Sequence, residues 1–469
     1  MTALASPPVV STEQLARLDV AGPRYTSYPT ADRFVEAFDS AAYRQALEQR
    51  VSGIGAGAVP RSSLSLYVHI PFCESVCYYC ACNKVITRHH ERSAEYLDAL
   101  EREMALSAAA LGCRAAVSQL HLGGGTPTFL SDAELARLMH AIQRHFLLTP
   151  GGEYSIEVDP RTVSKQRLSH LAALGFNRLS LGVQDFDPAV QRAVHRVQPF
   201  DEVETLLNAA RDIGFDSINI DLIYGLPLQT AMSFQRTLDQ VCRLRPDRIA
   251  LYAYAHLPER FKPQRRIDAA ELPVAGQKMA MLASAIQAFG QQGYDYIGMD
   301  HFALHGDSLS VAKRQGRLHR NFQGYSTQPD CDLLGLGVSA IGRIGATYSQ
   351  NAKTLPEYYD ALRDGRLPVV RGLALDRDDL VRRSVIMAVM CQGRVDYESI
   401  EAAYLIRFHE YFAAELDRLQ PLVDQGLVRL EVDGLQVTPL GWYFVRAVAM
   451  VFDKHLQAER SRARFSRII

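Results

Sequence analysis

Short apolar runs recur along the first two thirds of the chain, most of them separated by stretches with helical spacing. The first, Leu64–Ile70, is ended by Pro71. Others occupy 117–122, 154–158, 178–183, 217–223, 248–254 and 294–297. Strands alternating with helices predict a parallel sheet with helices outside, and six or seven such units predict a barrel or partial barrel. Helices are expected at 40–51 and 93–111, the second with leucines and acidic residues at helical spacing. Ser131-Asp132-Ala133-Glu134 opens a further helix as a capping box. His301-Phe302-Ala303 reads as a continuation of the last barrel unit, and 335–342 as a Gly-rich apolar turn.

The pattern changes after about residue 367. Helical runs cover 377–390, 396–403 and 408–425. Two apolar runs, 427–432 and 435–438, are joined by Asp433-Gly434, a hairpin signal, and a last helix is expected at 440–455. Helices before a small hairpin resemble a winged helix, but this region is acidic as well as basic, so it reads as a lid or substrate-binding unit rather than a DNA reader. At the other end Gly22-Pro23-Arg24-Tyr25-Thr26-Ser27-Tyr28-Pro29-Thr30 is held extended by its prolines, and its tyrosines, arginine and threonines suit the lining of a polar ligand. Residues 52–63 form a small-residue linker. The basic stretches 258–273 and 460–467 read as a solvated loop and a solvated tail. The expected division is an extended arm (1–40), a catalytic α/β domain (41–366) and a smaller, mainly helical domain with a β-hairpin (367–469).

Composition narrows the class. With 48% apolar residues over 469 positions the chain can build one large core and a smaller one. A net charge of −1 gives no sign of a general nucleic-acid binder. No apolar run is long enough to span a membrane and no leader pattern opens the sequence, so a cytoplasmic protein is expected.

Chemistry concentrates at the ends of the expected strands. Cys73, Cys77, Cys80 and Cys82 fall within ten residues after the first strand, half of the chain's eight cysteines. Gly123-Gly124-Gly125-Thr126-Pro127 follows the second. Glu157 and Asp159 close the third, Gln184 and Asp185 the fourth, Asp221 lies near the end of the fifth, and Ala255-His256 follows the sixth. In a parallel barrel these ends form one face, where catalytic groups collect. The thiols admit four uses. Disulfides would be strained at this spacing and lack an oxidising compartment. Structural zinc normally takes two separated knuckles, whereas Cys113, Cys242, Cys331 and Cys391 stand alone. Cys77-Tyr78-Tyr79-Cys80 has dithiol spacing, but two further thiols beside it would interfere. An iron–sulfur cluster takes thiolates as its normal ligands, and spacing favours it over zinc.

Cys73-Glu74-Ser75-Val76-Cys77-Tyr78-Tyr79-Cys80 resembles the cluster loop of the radical S-adenosylmethionine (SAM) enzymes. Cys82-Asn83-Lys84, Gly123–Pro127 and His319-Arg320-Asn321-Phe322-Gln323-Gly324-Tyr325-Ser326-Thr327 make the chain similar to the oxygen-independent coproporphyrinogen III oxidases, with Ser326 where the family is expected to have Thr and Tyr79 where it is expected to have Phe. The resemblance implies a partial (β/α)6 TIM-like barrel of the radical SAM type. It also implies a 4Fe–4S cluster on Cys73, Cys77 and Cys80, with Cys82 not a ligand. One SAM is implied at Tyr67, Gly124, Glu157 and Ile341, with Tyr67 and Glu157 catalytic. A second is implied at Tyr79, Gly125, Thr126, Gln184, Arg196, Asp221 and Ala255. The implied reaction converts two propionates of coproporphyrinogen III to vinyl groups by a 5′-deoxyadenosyl radical, giving protoporphyrinogen IX in haem biosynthesis. The implied partners are the tetrapyrrole and a reduced donor such as flavodoxin, acting on a monomer. The four propionates call for cationic and hydrogen-bonding groups, which the 319–327 segment supplies. A haem-binding chaperone related to these enzymes is the alternative, and Cys82 with the 319–327 segment speaks against it. A zinc-stabilised binding module is a third reading.

Overall fold

The computed structural model describes residues 22–52, 63–328 and 331–458. Most of the expected linker, the first part of the arm and the basic tail lie outside these residues.

Six strands form the parallel heart of the sheet: β1 (Leu64–Ile70), β2 (Ala116–Gly124), β3 (Leu147–Val158), β4 (Arg178–Gln184), β5 (Ser217–Tyr224) and β6 (Arg248–Ala253). Alternation with a period of two decides what each face meets. Leu179, Leu181 and Val183 of β4 and Ile218, Ile220 and Leu222 of β5 are almost fully buried. They join one core with Val203 and Leu207 of the helix Phe200–Ile213 and Phe234 and Leu238 of the helix Ala231–Leu244. Burying each such side chain contributes about 1.5–3 kcal/mol. The intervening residues, Ser180, Gly182, Asn219 and Asp221, turn the other way and line the interior.

The expected seventh parallel unit is corrected. β7 (Tyr294–Gly298) and β8 (His301–Leu304) are an antiparallel hairpin, and β8 pairs antiparallel with β6. The chain reverses through Met299 and Asp300, both left-handed (φ 45° and 73°), a two-residue turn with no room for a crossover helix. The expected Gly-rich turn at 335–342 is corrected as well. The turn is confined to 337–340, because the stretch opens with the last two residues of β9 (Asp332–Leu336), which runs parallel to β1 on the side away from β2, and closes with the start of β10 (Ile341–Ile344). β11 (Thr347–Asn351) and β12 (Val369–Ala374) continue antiparallel, so the sheet runs past residue 367. The twelve strands lie in the order β12-β11-β10-β9-β1-β2-β3-β4-β5-β6-β8-β7. The barrel is partial, open between its two edges.

The C-terminal unit begins with the helix Arg377–Gln392. The helix expected at 408–425 is broken at the buried, non-helical Phe412 into Phe408–Tyr411 and Ala413–Asp424. The expected hairpin has a third strand, since Arg394–Asp396 pairs with Gly434–Val437, which also pairs with Val428–Leu430. In place of one helix over 440–455 there is a tight turn, Gly441–Phe444, and the helices Val445–Val451 and Lys454–Ala458. This unit covers the open edge of the sheet. Trp442 Nε1 donates to the Ile297 carbonyl of β7 at 2.9 Å, and from outside this unit Lys313 Nζ, on the helix Ser308–Arg314, donates to that of Tyr296. Edge carbonyls left bare invite pairing with other chains. The arm lies against the same unit and the β7–β8 turn, with Tyr25 and Tyr28 buried, Tyr25 donating to Asp453 and Arg24 paired to Asp300 at 2.5 Å. No helix among the described residues is long and apolar enough to cross a membrane.

Candidate active site

The cysteine loop leaves the end of β1 and is pinned by backbone contacts. Phe72–Cys73 pairs in parallel with Val85–Ile86. The Tyr78 N–H donates to the Val194 carbonyl at 3.0 Å, and His195 Nδ1 lies 2.8 Å from the Val76 carbonyl. Lys84 Nζ donates to the Cys80 and Cys82 carbonyls at 3.1 and 3.4 Å. Gln264 Nε2 donates to the Tyr79 carbonyl at 3.0 Å. Residues 258–273, expected as a solvated loop, therefore cover the cysteine loop, with Gln264 buried and Arg266 over the Tyr78 ring at 5.2 Å.

His69, near the end of β1, ties this loop to the barrel interior. Its Nε2 lies 2.9 Å from the Asn83 carbonyl and its Nδ1 3.0 Å from the Tyr67 hydroxyl. A carbonyl only accepts, so Nε2 carries the proton and Nδ1 accepts from Tyr67. Burial lowers the imidazole pKa and keeps the ring neutral. The next turn needs its glycines. Gly124 is left-handed (φ +113°) and a Cβ there would lie 2.4 Å from the His69 ring; one on Gly125 would lie 2.6 Å from the Pro71 carbonyl oxygen.

Cys73, Cys77 and Cys80 open on one cavity of about 270 Å³ in the barrel mouth, together with Cys82. Tyr79, Gly124, Gly125, Thr126, Glu157, Gln184, Arg196 and Asp221 line the same cavity, so eight of the eleven expected cofactor contacts converge there. Tyr67, Ala255 and Ile341 are outside its lining; Tyr67 stacks on His121 at 5.9 Å, behind Glu157. A second cavity of about 180 Å³ continues down the barrel and shares Glu157, Ser180, Asp221 and Tyr252.

Charge is finely arranged. Glu157 accepts from the Gly124 N–H at 3.0 Å and lies 3.2 Å from His121 Nε2. Burial pushes its pKa up, but the His121 bond and the Gly124 N–H outweigh this and hold the carboxyl below its ordinary range. Asp221 goes the other way, to about 6, through burial and the nearby Glu157 charge. Asp159 is buried between Arg161 and Arg196, which outweigh the burial and keep it ionised. Both arginines reach Cys77 Sγ, at 3.8 and 3.5 Å, and Thr126 Oγ1 donates to Cys73 Sγ at 3.3 Å. Cys80 is lowered to about 6, first by a hydrogen bond from Cys82, whose own thiol is raised by the same contact.

Among the described residues no three His, Cys, Asp or Glu side chains gather in the way a single metal ion needs. The three thiols ring a cavity instead, with a donor at each of the three sulfurs, and this donor set fits an iron–sulfur cluster. His121, Arg161 and Gln264 were not anticipated. Arg161 carried a signal in Asp159-Pro160-Arg161, a charged pair closing a strand, whereas His121 sits mid-strand and Gln264 in a loop without pattern.

An open α/β barrel with three thiols on the loop after its first strand defines a radical SAM protein. The Radical SAM superfamily model matches residues 67–241, and the HemN C-terminal domain model matches 375–444. The oxygen-independent coproporphyrinogen III oxidases of Salmonella typhimurium and Escherichia coli K12 are each 49% identical over 455 residues, covering 97% of both chains. The solved structure of coproporphyrinogen III oxidase (HemN) from Escherichia coli superposes with a TM-score of 0.87 at 50% identity, over 92% of this chain and 98% of that one. The chain belongs to the oxygen-independent coproporphyrinogen III oxidase family.

Proposed function

We propose that the chain catalyses the oxygen-independent oxidative decarboxylation of two propionates of coproporphyrinogen III to vinyl groups. The observation that carries this is the cavity where Cys73, Cys77 and Cys80 meet Glu157 and Arg196, in a chain alike to these oxidases over nearly its whole length. Bound there, a 4Fe–4S cluster and SAM supply the one-electron chemistry that generates the hydrogen-abstracting 5′-deoxyadenosyl radical. The three thiols hold the cluster. Gly124 and Gly125 let a ligand approach the backbone, and Glu157, ionised, accepts from an ammonium or ribose group. Gln184, Arg196 and Asp221, with Tyr79, Thr126 and Ala255, serve a second SAM, and Tyr67 and Ile341 serve the first. The electron comes from a reduced donor such as flavodoxin, the working unit is a monomer, and the reduced thiols suit the cytoplasm.

Arg320 supports a tetra-acid substrate. It is 6% exposed, and its Nε and Nη1 have no hydrogen-bond partner. The nearby Asp300 is taken by Arg24. A buried guanidinium in this state calls for an anion, and a propionate carboxylate provides one. The test is anaerobic turnover with reduced protein, SAM and coproporphyrinogen III, read by mass. Loss of two carbon dioxide units with formation of 5′-deoxyadenosine is expected. SAM cleavage with the porphyrinogen untouched would sink the assignment.

A further inference from the structure

Resting on the cluster reading above, we propose that Arg161 is a positioning residue that sets the redox poise of the cluster through Cys77. It stands on the turn Pro160–Thr162 that ends β3, and Asp159 accepts its backbone N–H at 3.1 Å. From there its guanidinium grips Asp159 twice, Nη2 to Oδ2 at 2.7 Å and Nε to Oδ1 at 3.0 Å. The remaining reach of Nη2 goes to Ser75 Oγ at 3.4 Å and Cys77 Sγ at 3.8 Å. Arg196 closes on the same carboxylate and sulfur from the other side, Nη1 lying 3.2 Å from Asp159 Oδ2 and 3.5 Å from Cys77 Sγ.

Two guanidinium groups against one carboxylate leave one net positive charge beside this sulfur. The group is largely withdrawn from water, with side-chain exposures of 22% for Arg161, 9% for Asp159 and 8% for Arg196, so solvent screens it weakly. A cation and N–H donors at a ligand sulfur favour the form carrying the extra electron and raise the reduction potential. Removing Arg161 acts in one direction twice, since it takes the net charge of the group from +1 to zero and deletes an N–H donor at the Cys77 sulfur. In the step concerned, one electron enters from an external one-electron donor. No bond forms or breaks, and Arg161 is neither oxidised nor reduced.

The test compares wild type, Arg161→Gln and Arg161→Lys after anaerobic cluster reconstitution, by iron and sulfide content and by a redox titration followed by electron paramagnetic resonance. Arg161→Gln is expected to keep wild-type iron and to shift to a more negative midpoint. At a fixed potential its reduced-to-oxidised ratio falls by about threefold to tenfold, which is about 30–60 mV for one electron. Arg161→Lys keeps the charge, loses the fork and shifts less. A wild-type midpoint in an iron-replete Arg161→Gln protein overturns the proposal. If Arg161→Gln fails to hold iron, Arg161→Lys decides: a negative shift supports the role, and an unshifted midpoint or absent cluster overturns it. A wild-type protein that takes up no iron sinks the cluster reading itself, a separate outcome.

Discussion

At the scale of single residues, two arginines converge on the sulfur of Cys77. Cys77→Ser is expected to lose most of its iron and all SAM cleavage, which elemental analysis and 5′-deoxyadenosine release will show. Arg320 belongs to substrate binding instead. Arg320→Met should raise KM for the porphyrinogen at least tenfold, the scale of one lost charge-assisted bond at about 1.5–3 kcal/mol, while SAM cleavage by reduced protein persists. A porphyrinogen KM unchanged in this variant would leave the guanidinium without the assigned partner. Glu103 is a buried acid that lines neither cavity. It accepts from the Tyr358 hydroxyl and the Asn351 amide at 2.6 Å each and from the Gly337 N–H at 2.7 Å. Burial outweighs these donors and lifts its pKa from 4.5 to about 7. An acid raised in the folded state contributes most below its unfolded pKa and loses that contribution as pH climbs to the folded one. Urea unfolding should therefore show stability falling between pH 4.5 and about 7 by on the order of a few kcal/mol, with Glu103→Gln flattening that slope.

At the scale of elements, the period-two pattern made β1 to β6 legible. Each of these strands sends one row of residues to the helices and the other into the barrel, so apolar runs and the polar groups at their ends could both be seen in the chain. The reversal at Met299-Asp300 was not legible, because a left-handed pair is normally announced by Gly or Asn and neither stands there. β9 was hidden for another reason. Its partner is β1, pairing Leu64 with Asp332, and a contact at such separation leaves no local signature. The covered edge at β7 gives a prediction at this scale. Trp442→Phe keeps an aromatic side chain but leaves the Ile297 carbonyl without its donor, and should cost about 1–3 kcal/mol in chemical denaturation with little change in SAM cleavage.

Taken whole, the molecule gathers a site from residues spread between Cys73 and Tyr252, and most of it could be read from where polar residues ended the expected strands. His121 and Arg161 were missed because their importance lies in what they touch, Glu157 for one and Cys77 for the other. The ends of the described chain also meet. Tyr25 donates to Asp453 at 3.0 Å, and Arg446 donates to the Pro23 carbonyl at 3.1 Å and to that of Gly22. Arg446→Met should loosen this contact and speed tryptic cleavage at Arg24 by at least tenfold, since hydrogen bonds from a charged donor contribute about 1.5–3 kcal/mol each. The same clasp fixes an order of events during synthesis. A ribosome makes the arm well before Arg446 and Asp453 emerge to complete its seat, so the arm can dock only after the barrel between them has been made.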